Sequence, residues 1–260
     1  MKVIVITGST RGIGLGLAKA FLERGCAVAV SGRTQASVDK TVVELGTPER
    51  VVGHPCDVAD VAQVQALWDA TTARFGRVDV WINNAGVGQR PVNFVDLTAE
   101  EVRVILDSNL LGCLYGSQVA LRGMLVQGSG QLYNMEGYGS DGSIRAAMGV
   151  YGTTKRGLRY FTQSLVVETK GTPVQIGTLG PGIVVTEGRL GSDTARAELS
   201  ESTKRMLNIM ADRVETVTPW LADQVLANKK TNAHIEWLTH AKILARLISA
   251  PFSKRAVVTP

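Results

Sequence analysis

The chain is short of the residues that build stapled or metal-bound scaffolds. Its three cysteines, Cys26, Cys56 and Cys113, are odd in number, far apart and set among apolar neighbours. That excludes a disulfide framework and a zinc spacing, and they read as reduced core thiols. The three histidines, His54, His234 and His240, share no ligand pattern with them, so no metal is implied. Dense positive charge is also missing. The net charge is +5, but Lys and Arg are scattered, and the longest local clusters are Lys229-Lys230 and Lys254-Arg255. A nucleic-acid reader would want a denser stripe or a recognisable module; an anionic cofactor or substrate explains the excess with less strain. No apolar run reaches the length of a membrane span. "MKVIVITG" opens a strand at its second residue, which leaves no room for a leader, so the expected location is cytoplasmic. Repeats, low-complexity linkers and domain boundaries are absent as well, and 260 residues suit one α/β domain over 1–260.

What is present is alternation. Short apolar runs, "KVIVITG", "CAVAVSG", "RVVGHPCDV", "VDVWINNAG", "GQLYNM" and "PVQIGTLGPG", are separated by helical patterns over 12–24, 35–45, 60–75, 98–127 and 149–170. Strands that are continuous in Val, Ile and Leu belong in a parallel sheet covered on both faces. Right-handed crossovers make that sheet doubly wound, the Rossmann-type α/β class. The composition changes after residue 187, where "GRLGSDTARAELSESTK" is polar and Gly/Ser-bearing. We expect a substrate lid over about 187–210 and an amphipathic tail over about 211–260. In the tail, Trp237, Leu238, Ala241, Leu244, Ala245 and Ile248 would share one face of a helix running from Trp237 to Phe252. That face is either packed in the core or a docking face for a membrane surface or a partner subunit.

In "VIVITGSTRGIGLGLAKAF" the first strand runs into Gly8, Gly12 and Gly14 and then into a helix. Glycines there admit a tight turn and a close approach of backbone to pyrophosphate, and the helix N-terminus offers free N–H groups. The cofactor-binding set expected at this turn is Gly8, Ser9, Thr10, Arg11, Gly12, Ile13 and Gly14. The second strand ends in "SGRT" without the acid that would bind a ribose 2′-hydroxyl. Arg33, joined by Arg11, suits a 2′-phosphate, which favours NADPH. Asp57 and Val58 after strand three are placed to meet the adenine. Asn83, Ala85 and Gly86 after strand four lie at the same carboxyl edge.

The segments "TGSTRGIG", "NNAG" (83 to 86), Asn109, "YGTTK" and "PGIVVTEG", in this order and at these separations, resemble the short-chain dehydrogenase/reductase family across nearly the whole chain. The resemblance implies that Tyr151 gives a proton to the alkoxide left by hydride transfer. An unperturbed Tyr, with a pKa of about 10, does this poorly near neutrality, and a nearby cation helps. Lys155, one helical turn on, supplies that charge and by resemblance bonds the nicotinamide ribose. Asn109 by the same resemblance holds a water in a proton relay, and Pro181, Gly182, Val184 and Thr186 match the segment that contacts the nicotinamide. The family commonly forms homo-oligomers by pairing the helices that carry Asn109 and Tyr151.

The family's carbonyl-polarising serine is missing. Counting forward from Asn134 gives Gly137, and counting back from Tyr151 gives Tyr138. Ser140 is the nearest hydroxyl for the task; Ser143, Tyr138 and a backbone N–H of "GYG" are its rivals. This departure, with "NMEGYGSDG", "TLGPGIVVTEGRL" and the tail, resembles the chlorophyll b reductase subgroup. That implies NADPH-dependent reduction of the 7-formyl group of chlorophyll b or chlorophyllide b, a bulky apolar carbonyl substrate. A dehydrogenase of small alcohols or sterols and a catalytically silent dinucleotide-binding regulator remain as rivals. The retained Tyr and Lys argue against the last of these.

Overall fold

The computed structural model describes residues 1–186, 199–250 and 255–258. Its strands are β1 (Val3–Ile6), β2 (Ala27–Gly32), β3 (Val51–Pro55), β4 (Val80–Asn83), β5 (Gly130–Met135), β6 (Val174–Gly180), β7 (Val184–Val185), β8 (Asp212–Arg213) and β9 (Ala233–Glu236). Seven of them form one sheet in the order β3-β2-β1-β4-β5-β6-β9, every neighbouring pair parallel. β1 and β4 are buried at every position, as strands covered on both faces must be. The six strands expected from the sequence are all present. β9, four residues of mixed polarity at the sheet edge, is a seventh whose apolar signal is too weak to stand out.

The helices are α1 (Gly12–Glu23), α2 (Gln35–Leu45), α3 (Val61–Phe75), α4 (Ala99–Leu106), α5 (Gly112–Gln127), α6 (Gly149–Glu168), α7 (Glu201–Met210), α8 (Val214–Ala227) and α9 (His240–Ser249). The one long helix expected over 98–127 is two helices joined by a π-helical turn, Asp107–Leu111. Taken as one run, Ala99–Gln127 is long and apolar enough to cross a membrane, with a mean hydropathy of 1.2, contrary to the expectation that no run reaches that length. Half of it is buried in the fold, where α5 packs on α3 and β5. A core helix passes the same test of length and composition.

Several helices cap themselves. Asp60 accepts from Ala62 and Gln63 at the start of α3, and Thr98 with Glu101 forms a capping box on α4. α1 does not: Arg11 stands at its N-cap without a side-chain cap, and no acid lies in its first turn. The chain order reverses between β1 and β4, the switch point where doubly wound sheets bind ligands, and α1 starts there with its N–H groups open.

The tail differs from expectation. Trp237 and Leu238 precede the helix. Trp237 packs edge-on against Trp220 at 5.3 Å between ring centroids, on the core that includes α8. On α9 the apolar positions Ala241, Leu244, Ala245 and Ile248 are exposed, and the residue that turns inward is Arg246. Core packing therefore holds for Trp237 and Leu238 of the expected face and not for its α9 positions. Residues 187–198 of the expected lid, and Phe252 at the end of the expected tail helix, lie outside the described residues.

Arg246 goes inward to reach Asp212. That carboxylate is buried and accepts from Arg246 and Arg255 at 2.7 Å each and from the Trp237 indole at 2.6 Å. Burial opposes its ionisation, but the three donors outweigh burial and hold the carboxyl below its usual range. A depressed folded-state pKa contributes stability that is present above the unfolded pKa and lost as pH falls through the folded one. Arg246→Ala removes one of the two guanidiniums from the buried carboxylate and leaves Arg255 and Trp237, so we expect a loss of about 1.5–3 kcal/mol and a melting temperature lower by about 3–12 °C. The deficit should shrink in thermal scans as pH falls into the acid range. A Tm unchanged at pH 7 would contradict it.

Candidate active site

The glycine turn is locked before any ligand arrives. The Thr7 hydroxyl accepts from the backbone of Asn84 and Ala85 at 3.0 Å each, and the Asn84 amide donates to the carbonyls of Thr7 and Gly8 at 2.8 and 3.1 Å. Ser9 donates to Ile6 and accepts from the backbone of Ser31, which ties the turn to β2. Gly8 has φ +63°, and a Cβ on it would sit 2.8 Å from the Ala85 Cα. A Cβ on Gly14 would sit 2.5 Å from the Gly8 carbonyl oxygen. Both positions need glycine, the first for conformation and space, the second for space alone. Thr186 lies over the turn, 3.3 Å from a Cβ built on Gly12, so the end of the Pro181–Thr186 segment meets the glycine turn.

Arg11 and Arg33 are both exposed, at the turn and at the end of β2. Neither guanidinium has a hydrogen-bond or ion-pair partner among the described residues. Asp57 follows β3 and accepts from the backbone of Ala59 at 3.0 Å, and Val58 is buried. Asn83 departs from its expected place at the cofactor edge. It is 5% exposed, accepts from the Trp81 indole at 2.8 Å, and donates to Cys113, Ser117 and Asn134. Its amide is committed to joining β4, β5 and α5, and Asn84 is the residue that reaches the turn. The uncapped helix, the two glycines whose Cβ positions are filled by backbone, and the two open guanidiniums fit a phosphorylated dinucleotide.

At the same edge, Tyr151 and Lys155 lie near the start of α6. That helix has no side-chain cap of its own; Gln89, buried and distant in sequence, accepts from the Tyr151 backbone N–H at 3.0 Å. No local pattern announces this contact. Lys155 is 5% exposed, donates to the Met135 carbonyl at 3.0 Å, and lies 5.7 Å from the centre of the Tyr151 ring. Burial lowers the Lys155 pKa below its ordinary value, and Cys113 and Glu136 act in the opposite direction.

Asn109 sits in the π-helical turn. Its carboxamide accepts from the Val87 N–H at 2.7 Å, donates to the Val87 carbonyl at 2.9 Å, and reaches the Thr154 hydroxyl at 3.4 Å. Irregular turns of this kind are frequent at functional sites, and this one brings the β4 loop, α5 and α6 together one residue from Lys155.

The forward count finds the position of the missing serine. A Cβ on Gly137 would lie well inside van der Waals contact with the Tyr151 hydroxyl and 3.3 Å from the Lys155 Cε, so Gly137 faces both reacting side chains. Ser140 points elsewhere. It is buried, and its hydroxyl donates to Glu136 at 3.0 Å. A serine has one O–H to give, so holding a substrate oxygen would require it to release Glu136. Ser143 is committed to Asp141, and Tyr138 is exposed.

A doubly wound sheet, a glycine turn at its switch point, and a Tyr and Lys at the same edge define a Rossmann-type oxidoreductase. The chain belongs to the short-chain dehydrogenase family, whose model matches residues 2–196. It is 35% identical over 95% of its length to the "Probable chlorophyll(ide) b reductase, chloroplastic" of Arabidopsis thaliana, and it spans about half (52%) of that relative. To a chloroplastic chlorophyll(ide) b reductase of Oryza sativa subsp. japonica it is 31% identical, covering 95% of this chain and 74% of the relative. Among solved structures it resembles an actinorhodin polyketide ketoreductase with NADPH, at 26% identity and a TM-score of 0.79, covering 93% and 97% of the two chains. The closed form of serine dehydrogenase with NADP+ shares the fold at a TM-score of 0.80 and 24% identity, covering 92% and 95%.

Proposed function

We propose that the protein is an NADPH-dependent reductase of an aldehyde on a bulky apolar substrate, with the 7-formyl group of chlorophyll(ide) b as the leading candidate. The observation that carries this reading is Gly137. Where the family pattern has serine, the chain has no side chain, and the Tyr151 hydroxyl borders the space this leaves. The chlorophyll(ide) b reductases among its relatives favour a large planar carbonyl compound over a small alcohol or a sterol.

NADPH supplies hydride when bound. Gly8 and Gly14 let the backbone approach its pyrophosphate, the open end of α1 gives N–H donors, and Arg11 and Arg33 take the 2′-phosphate. Tyr151 gives its proton to the carbonyl oxygen as that oxygen gains charge, and the Lys155 ammonium makes the transfer favourable. Asn109 positions the relay that returns a proton to this pair. With Ser140 engaged on Glu136, a backbone N–H of the Gly137–Gly139 loop is the donor we assign to the substrate oxygen.

The test is NADPH oxidation against chlorophyllide b and then a panel of aldehydes and ketones. Turnover of chlorophyllide b supports the full reading, and turnover of other aldehydes alone moves the substrate. No oxidation with any of them leaves the silent regulator. For the cofactor, Arg33→Asp is expected to lower kcat/KM with NADPH by about tenfold to a hundredfold and to raise it with NADH, since one charge-assisted contact is worth about 1.5–3 kcal/mol. An unchanged preference would refute the 2′-phosphate assignment.

We also propose a homo-oligomer. Leu125 and Val126 on α5 and Tyr160 and Val167 on α6 are exposed, which supports pairing of those helices. Light scattering on the purified chain decides this. The exposed Leu244, Leu247 and Ile248 of α9 support a membrane-surface contact, tested by sedimentation with anionic vesicles.

A further inference from the structure

β7 and β8 stand apart from the main sheet as a parallel pair of two residues each. The Asp212 backbone N–H donates to the Ile183 carbonyl at 2.9 Å, so β8 holds the segment 181–186, whose Thr186 lies over the glycine turn. A ladder this short is marginal on its own and needs support from outside the pair. One anchor lies just past its end. β8 runs directly into α8, whose Val214 and Thr218 fill the space over Gly16 of α1.

The other anchor is residues 255–258, which form neither helix nor strand. The Asn208 carboxamide oxygen, near the end of α7, accepts from the Val257 and Val258 N–H groups at 2.9 and 2.8 Å. Arg255 donates to the Ala211 carbonyl and to the Asp212 carboxylate at 2.7 Å each. Val258 is 2% exposed and packs with Leu207 and Ala211 in a small core that also takes in Val185 of β7. We propose that residues 255–258 are a positioning strap for the cofactor site: through Asn208, Ala211 and Asp212 they hold β8, and through β8 they hold 181–186 against the glycine turn. This rests on the NADPH reading above, in which 181–186 faces the nicotinamide.

Fixing four residues that lack secondary structure costs conformational entropy. The contacts that offset this cost converge on the short stretch leading into β8, and Val258 belongs to the small core rather than to either of the two large ones. Release of the strap should therefore leave the main sheet intact. The groups assigned above to the pyrophosphate and the 2′-phosphate belong to the turn between β1 and α1 and to the end of β2, within that sheet. Loosening β8 is expected to disturb one end of the cofactor and to spare the other.

Two variants release the strap by different chemistry. Asn208→Ala removes the acceptor for two N–H groups, and Val258→Asp puts a carboxylate into the small core. Binding is measured on the full chain with NADPH and with 2′,5′-ADP, which has the adenosine end and no nicotinamide. Each variant is expected to weaken NADPH binding about tenfold, the scale of one lost polar contact, and to leave 2′,5′-ADP within about twofold. Hydrogen exchange supplies a readout that needs no cofactor. In both variants the amides of 183–186 and of Asp212 should exchange about tenfold faster than in the wild type, and those of β1 and β4 at the wild-type rate. Equal weakening of the two ligands would mean a general loosening and overturn the positioning role, as would wild-type affinity for NADPH. Unchanged exchange at 183–186 and Asp212 would overturn the tie to β8. If Val258→Asp does not fold, Asn208→Ala carries both measurements. If the wild type binds neither ligand, the NADPH reading fails, and exchange alone decides whether 255–258 hold β8.

Discussion

Tyr151→Phe is expected to lower kcat for carbonyl reduction by about 10²- to 10⁴-fold, the range for loss of a positioned acid, while NADPH binding by fluorescence stays within about twofold. Ser140→Ala is expected to cost only about tenfold. A side chain that donates to the substrate oxygen would cost a hundredfold or more, but the single Ser140 proton is directed at Glu136. The comparison uses one substrate and one pH, with kcat and KM measured for both variants. If the Ser140→Ala loss equals that of Tyr151→Phe, the hydroxyl turns to the substrate during the reaction and the backbone donor assigned to the Gly137–Gly139 loop is wrong.

The parts that could be read from the sequence were those written locally. The strands and crossovers are signalled by runs of Val, Ile and Leu. The glycine turn is written in one continuous stretch, and Tyr151 and Lys155 are one helical turn apart. The parts that stayed hidden depend on distant contacts or on direction. Gln89 caps α6 from 62 residues away. Asn83 and Asn84 are neighbours of the same type, yet strand alternation sends one into the core network and the other to the glycine turn. On α9 the apolar pattern left core packing and a docking face both open; one buried acid, Asp212, draws Arg246 inward and leaves the leucines to solvent. Periodicity shows that a helix has two faces and cannot say which one a single buried charge will claim.

Gly137 is where local reading and geometry meet, and it makes a result contrary to family logic. Restoring the missing serine would appear to repair the site, but Gly137→Ser is expected to lower kcat by about a hundredfold or more, and Gly137→Ala by about as much. A Cβ at this position overlaps the Tyr151 hydroxyl and crowds the Lys155 Cε. The hydroxyl is the far end of a side chain that can swing aside, so the fold tolerates the change, and the melting temperature should fall by only a few degrees. The cost goes to geometry, since a displacement of about 1 Å at a reacting group can cost 10²-fold in rate. The measurement is kcat and Tm on the same preparations. Loss of rate with a near-normal Tm means that the chain has exchanged the serine for room at the tyrosine. A Gly137→Ser variant that matches or exceeds the wild type would mean that Tyr151 has slack in its position and that the glycine serves no such purpose.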